Sequence, residues 1–384
     1  MIFYYNLKMG KLAKKILIII SKIIGALALA FLLILVAGFL AVRFNLTKTA
    51  GDVDENTGIY NSLEDSLTAS RQIIAFLPGN RDIAKVDETK IYCKLYILSD
   101  YADYNAKTIL LAYQKNKSYE LAEKMILALE LRLQDKSELG NRLSFCNQDK
   151  APEISLDWLN QRLSAPKDAN VFLWQTEEPW QIIRQAVVKD KDSLNRVGQE
   201  LNISPRLLLS VAIVEQLRLY YTQRELFERV FKPLKILASA NKMAWGVMSI
   251  KEAAAILAEQ NLKNKNSDFY LGANYEKLLD FNSNDPVAER YARLTDEKNH
   301  YFSYLYGGII IKQITSQWQK AGYNISDRPE ILATLFNIGI QNSHPKANPE
   351  VGGSQISIGQ DNYVFGSLAY EFYYSGDLMD DFPY

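Results

Sequence analysis

Apolar residues recur along this chain at helical spacing, most densely in the run Leu207, Leu208, Leu209, Ser210, Val211, Ala212, Ile213, Val214, Glu215, Gln216, Leu217. Placed about 100° apart, these positions cover every side of a helix rather than one stripe, so the helix is expected to be buried. Ser204 followed by Pro205 supplies its start: a hydroxyl to cap free N–H groups and a proline at the first helical position. Upstream, Leu121, Met125, Ile126, Leu129 and Leu133 recur at three- and four-residue steps, and Ile91, Leu95, Tyr96 and Leu98 lead toward Ile109, Leu110, Leu111 and Tyr113 in the same manner. A further helical pattern runs through Trp180, Ile182, Ile183, Ala186, Val187 and Val188 to Leu194, Val197 and Leu201. No strand-period segment of any length stands out. A short β element near residues 247–250 leaves the expected class mainly α with minor β.

The amino terminus carries a different pattern. From Ile23 to Val42 there are twenty residues without a charge, which as a helix rise about 30 Å and match a bilayer core. Lys8, Lys11, Lys14, Lys15 and Lys22 precede this run, and only Arg43 and Lys48 come closely after it, so the excess of positive charge keeps the amino terminus in the cytoplasm. A single uncleaved transmembrane helix is expected, with everything after about residue 45 outside the cytoplasm; a cleaved signal peptide is the competing reading, for which the apolar run is long. Residues 46–60, with Gly51, Asp52, Asp54, Glu55, Asn56, Thr57 and Gly58, are polar and read as a tether. The expected organisation is an anchor over 1–45, that tether, a membrane-proximal helical module over 61–165 and a second helical domain over 166–384. The Leu and aromatic stripes of the module read as core, and no chemistry is visible in it.

Composition narrows the function. The chain has 384 residues, 48% of them hydrophobic, with 44 basic and 44 acidic residues. That balance gives no argument for nucleic acid as a partner. Two histidines, His300 and His344, and two cysteines, Cys93 and Cys146, offer neither a tetrahedral metal cluster nor a C-x-x-C pair. No phosphate-binding glycine loop and no G-x-S-x-G motif occurs, so no cofactor is implied. Outside the cytoplasm Cys93 and Cys146 could form a disulfide; two buried thiols are the alternative.

Glu215 is the residue of interest, because a lone acid inside an apolar helix must face a pocket or a partner. Arg218, nearly one turn on, is the obvious partner if the role is structural. The carboxy-terminal part of the chain favours a pocket. The segment Gly246-Val247-Met248-Ser249-Ile250, with Ala255 beyond it, approximates a G-L-M-Q-I-x-P-x-T-A stretch. Tyr304 to Lys312 looks like a helix carrying G-x-x-Y-L, Ala333-Thr334-Leu335-Phe336-Asn337-Ile338-Gly339 is similar to A-A-Y-N-A-G, and Asn362-Tyr363-Val364 to N-Y-V. Over residues 175–375 the chain thus resembles the lytic transglycosylase and goose-type lysozyme group of the lysozyme superfamily. The order of the four motifs carries that resemblance more than any one of them. Gln216 stands where relatives usually have Ser after the catalytic Glu, Ser249 replaces the Gln of G-L-M-Q, and Glu252-Ala253-Ala254 replaces the Pro-x-Thr.

The resemblance implies a lysozyme-like domain that cuts peptidoglycan glycan strands, with Glu215 as general acid and base. Gly246, Val247, Met248, Ser249, Asn337 and Tyr363 would bind substrate, Tyr363 lying beside the acid. The chemistry agrees with the residue: protonating a leaving glycosidic oxygen needs a carboxyl that holds its proton, and an apolar setting favours the neutral form. A hydrolase adds a second carboxylate. Glu225, Glu228, Glu252 and Glu259 read as a solvated helix face, and only a distant residue such as Asp285 could fold into reach. This poverty of second acids fits the transglycosylase route, in which one Glu serves as acid and then base while a hydroxyl of the sugar attacks. Tyr220, Tyr221, Trp245 and Tyr373 could stack on sugar rings, although core packing suits most of them better. The terminal Asp377, Asp380, Asp381 and Phe382 read as a mobile acidic tail.

Overall fold

The computed structural model describes residues 11–43, 51–76, 81–133, 136–148, 152–221 and 244–384. Within them the chain is mainly helical, as its periodicity predicts, with three small two-stranded β pairs. Helix α1 spans Lys11–Arg43. The expected anchor includes side chains outside the described set, at residues 34, 35 and 37–42. Among the described residues no helix is long and apolar enough to cross a membrane, so the anchor stands as a proposal.

The helical module consists of α2 (Thr57–Phe76), α3 (Arg81–Leu98), α4 (Asp103–Asn116), α5 (Tyr119–Glu130), α6 (Lys136–Phe145) and α7 (Leu156–Arg162). Local signals set its turns: Lys117 ends α4 in the left-handed region at φ 50°, and the Ser118 hydroxyl then accepts the N–H of Leu121 at 3.2 Å to cap α5. Cys93 on α3 and Cys146 just past α6 form a disulfide, which resolves the choice between bridge and free thiols. Residues 51–60, expected as part of the tether, are held in place. Strand β1 (Asp52–Val53) pairs antiparallel with β4 (Gly352–Gly353), and the Asp54 N–H bonds to the Val351 carbonyl at 2.8 Å. Glycine permits this pairing, because a Cβ on Gly352 would lie 2.4 Å from the Asp52 carbonyl oxygen.

The second half begins with α8 (Leu173–Thr176), α9 (Glu178–Lys189) and α10 (Lys191–Leu201), which lead into α11 (Pro205–Tyr221). Helix α11 starts at the expected proline, and its first turn is capped by Ser204. It is buried on all sides, packed against α9, α10 and three later helices: α14 (Tyr301–Lys320), α15 (Pro329–Ile338) and α16 (Phe365–Tyr374). Between them lie the β2–β3 hairpin (Ala244–Trp245, Ile250–Lys251), α12 (Glu252–Lys263) and α13 (Pro286–Leu294). Gly307 and Gly308 on α14 make two close approaches possible: a Cβ on the first would meet Met248 Cε at 2.5 Å, and on the second Leu201 Cδ1 at 2.6 Å.

A second hairpin, β5 (Gln355–Ile358) with β6 (Asp361–Val364), is absent from the expected elements. Its signals are short: four residues alternating exposed and buried, then Gly359 at φ +59°, the sign that the first position of a type II′ turn needs. The module and the second half share one continuous hydrophobic core. The seam between them runs along α5 and α16, where the Tyr370 hydroxyl donates to the Lys124 carbonyl and Arg132 pairs with Glu371. The carboxy terminus is not a free tail either. Leu378 and Phe382 are buried, and the guanidinium of Arg206, fully enclosed, donates to the carbonyls of Phe372, Tyr373, Asp377 and Phe382. Four carbonyl acceptors replace the hydration that a buried guanidinium loses.

Candidate active site around Glu215

Two cavities flank the β2–β3 hairpin and the end of α11. The first, of about 450 Å³, is lined by Glu215 and Arg218 from α11, Ser249 and Lys251 from the hairpin, Gln260 from α12, and Asn337, Gln341 and Ser354 from the α15 end and beyond. Ile250, Leu257, Ile310, Phe336 and Ile338 supply its apolar wall. A mostly apolar wall with a few convergent polar groups, at this volume, is the usual make-up of a small-ligand site. The second cavity, of about 420 Å³, lies on the other side of the hairpin and is lined by Ile182, Ile183, Gln216, Leu219, Tyr220, Gly246, Val247, Asp296, Glu297 and His300, among others.

Consecutive residues of α11 thus open onto different cavities. Glu215 is 3% exposed and faces the first. Arg218 pairs with it: Nε donates to Oε2 at 3.2 Å, and Nη2 donates to the same oxygen. Among the described residues Oε1 accepts no hydrogen bond. The next residue, Gln216, donates from Nε2 to the Val247 carbonyl at 2.7 Å and so ties the hairpin to the helix. Gln216 therefore anchors the backbone of the segment that separates the two cavities.

The hairpin turn is conformationally demanding. Gly246 sits at φ +71°, where a Cβ would lie 2.2 Å from the Leu294 carbonyl oxygen, and Ser249 closes the turn at φ 49° with its N–H on the Gly246 carbonyl at 3.0 Å. Only glycine fits the first position. The left-handed backbone of Ser249 places it on the wall shared with Glu215. Asn337 is fixed by Ser354, whose N–H and hydroxyl both donate to its Oδ1, at 2.9 and 3.1 Å. Gly353 makes room for this, since a Cβ there would meet that oxygen at 2.9 Å.

The structure therefore brings Glu215, Ser249 and Asn337 to one cavity and separates them from the other expected substrate residues. Gly246 and Val247 line the second cavity. Met248 is fully buried against α14, its N–H on the Ser303 hydroxyl. Tyr363 lies beside neither cavity: its ring packs under the Arg132 guanidinium, and its hydroxyl donates to Asp361 at 3.2 Å and to Glu371 at 3.4 Å. The expected place beside Glu215 fails because Tyr363 is carried by β6, which turns it toward the module and Arg132 and not onto the wall that Glu215 shares. Burial first, and then the nearby Glu371 carboxylate, push its hydroxyl pKa far up, so it stays a proton-bearing donor.

The other acids also differ from expectation. Glu252 and Glu259 are not a solvated face: Glu259 takes two hydrogen bonds from Arg290, both at 2.7 Å, and one from the Tyr306 hydroxyl at 2.6 Å, and Glu252 is buried 3.8 Å from the same guanidinium. Asp285 caps α13 through the Ala288 N–H. Glu225 and Glu228 lie outside the described residues, as does the side chain of Trp245. Among the described residues, Glu215 is the sole carboxylate lining the first cavity. Of the candidate aromatics, Tyr220 lines the second cavity and is half exposed, while Tyr373 packs against Tyr374, Tyr384 and Arg206. His300, which its sequence context does not single out as a site residue, also faces the second cavity; its Nδ1 meets Asp190 Oδ2 at 2.7 Å, and that hydrogen bond raises its pKa against the opposing effect of burial.

No protein-family model matches the chain, and no curated protein or solved structure matches it either.

Proposed function

We propose that the protein is a membrane-anchored lytic transglycosylase that cleaves the MurNAc-GlcNAc bond of peptidoglycan outside the cytoplasm, with Glu215 as the one general acid and base. The observation that carries this reading is the meeting of Glu215, Ser249 and Asn337, from three separate parts of the chain, on a cavity with no second described carboxylate. A route that uses one acid in both half-reactions needs no partner carboxylate, whereas a hydrolytic muramidase does. The Cys93–Cys146 disulfide supports a location in an oxidising compartment. The uncharged run from residue 23 to 42 supports the anchor.

The ion pair between Glu215 and Arg218 favours a second reading, a glycan-binding envelope protein of the same architecture without turnover, because the carboxylate already has a cationic partner on the cavity wall. One experiment separates these. Full-length protein in detergent is incubated with purified cell-wall sacculi, and the products are read by mass. Anhydro-muramyl ends, absent with Glu215→Gln, support the proposal; reducing ends identify a muramidase; binding to sacculi without release of products identifies the inactive binder; equal activity of the two proteins removes Glu215 from its role.

A further inference from the structure

The second cavity, across the hairpin from Glu215, has an apolar wall and a polar end with a single chemical character. Ile182 and Ile183 from α9, Leu219 from α11 and Val247 from the hairpin form the wall, and Ile182 is 61% exposed beside it. The polar side chains at the other end have committed donor hydrogens elsewhere. Thr295 donates its hydroxyl to the Tyr291 carbonyl at 2.8 Å, and Gln216 gives an N–H to the Val247 carbonyl at 2.7 Å. Nδ1 of His300 faces Asp190, a carboxylate that only accepts, so the ring hydrogen sits there and the neutral ring keeps a lone pair on Nε2. Asp296 takes the N–H groups of Lys298 and Asn299 on Oδ1, at 2.8 and 3.0 Å. Its Oδ2 and both oxygens of Glu297 accept no described bond, and no described Lys or Arg lines the cavity. Tyr220, half exposed, is the exception, with a hydroxyl that can give or take. The polar end is therefore a set of acceptors, two of them anionic. An ammonium group is its complement: three donors, no acceptor and the opposite charge.

We propose that this cavity binds an ammonium group carried on an aliphatic stem. The stem lies on Ile182, Ile183, Leu219 and Val247, and the N–H donors meet Asp296, Glu297 and His300. Such a group belongs to a free alkylamine or to a lysine-type side chain of a peptide. The cavity shares no lining residue with that of Glu215, so this second site goes beyond the proposed glycan cleavage and stands or falls independently of it.

The test is a binding titration of full-length protein in detergent with aminopentanol and with pentanediol, which carries a hydroxyl in place of the ammonium on the same stem. Wild type is expected to bind the amine about tenfold tighter. Asp296→Asn combined with Glu297→Gln removes both charges while residue 296 keeps an acceptor for its two N–H groups, and is expected to abolish the preference. Ile182→Ser is expected to weaken both probes about threefold, through lost apolar contact. Melting curves verify that each variant is folded. N-acetyl-lysinamide, titrated alongside, separates the two sources: tighter binding than aminopentanol identifies a peptide-borne amine, and weaker binding a free one. Equal affinity of wild type for the amine and the diol, a preference that survives the double substitution, or binding untouched by Ile182→Ser overturns the inference.

Discussion

Glu215 and Glu371 are each a lone acid on a largely buried helix, each is about 3% exposed, and each is paired with an arginine. Their surroundings differ. Around Glu371 every polar direction is filled: Arg132 from the module, the Trp174 indole N–H at 2.7 Å and the Tyr363 hydroxyl at 3.4 Å, with Arg132 stacked on the Tyr363 ring. It lines neither cavity. Burial pushes its carboxyl pKa up, against Arg132 and the Trp174 N–H, which favour the charged form. Glu215 has one oxygen held and the other without a described hydrogen-bond donor, beside about 450 Å³ of open volume. Burial and charge pairing thus locate structural acids as readily as functional ones. Space for a reactant is what separates them.

Neutralising each acid in turn should divide the two most sharply. Glu215→Gln is expected to lower glycan-cleavage turnover by about 10³-fold or more, measured on sacculi, with little change in melting temperature. Glu371→Gln is expected to do the opposite, leaving Arg132 without its carboxylate at the seam and costing about 3 kcal/mol in denaturant unfolding, with specific activity of the folded fraction unchanged. If the two phenotypes exchange, the assignment of roles is inverted.

The disulfide tests how far the Glu371 seam depends on the module behind it. Cys93→Ser with Cys146→Ser opens a link across 53 residues and is expected to lower stability by about 2–4 kcal/mol. Wild type treated with reductant should reproduce the loss in the same urea titration. The smallest effect is on the other side, at His300. Its pKa lies above the usual value in the folded state, so its contribution is fully present below the unfolded value and is lost as pH rises through the folded one. Wild type should exceed His300→Asn by about 0.5–1 kcal/mol near pH 5.5 and by less near pH 8.5. A difference that grows with pH would exclude the ion pair with Asp190 as its source.

Local rules are readable because they act within a few residues. The Ser204-Pro205 start, the all-round apolar face of α11 and the helical patterns through Leu121 to Leu129 and Trp180 to Leu201 are statements about periodicity and capping; the structure carries each of them, the last as two helices, and the first pattern ends at Glu130, short of Leu133. The alternation in Gln355 to Ile358 is equally local, but four residues are too few to stand out. The two acids mark the limit of such reading. Glu371, in the run Phe365 to Tyr374, has the same one-dimensional signature as Glu215.

The order of residues alone therefore settles the helical class, the burial of α11 and the presence of an acid within it. Packing in three dimensions decides that Ser249 and Asn337 join that acid, that Tyr363 turns away to Arg132, that Glu259 is held by Arg290, and that residues 51–60 and 377–382 are docked. The physical reason is range. Helix propensity and capping are settled by neighbours along the chain, whereas a cavity is volume that packed side chains from distant segments leave unfilled, and no single segment encodes it.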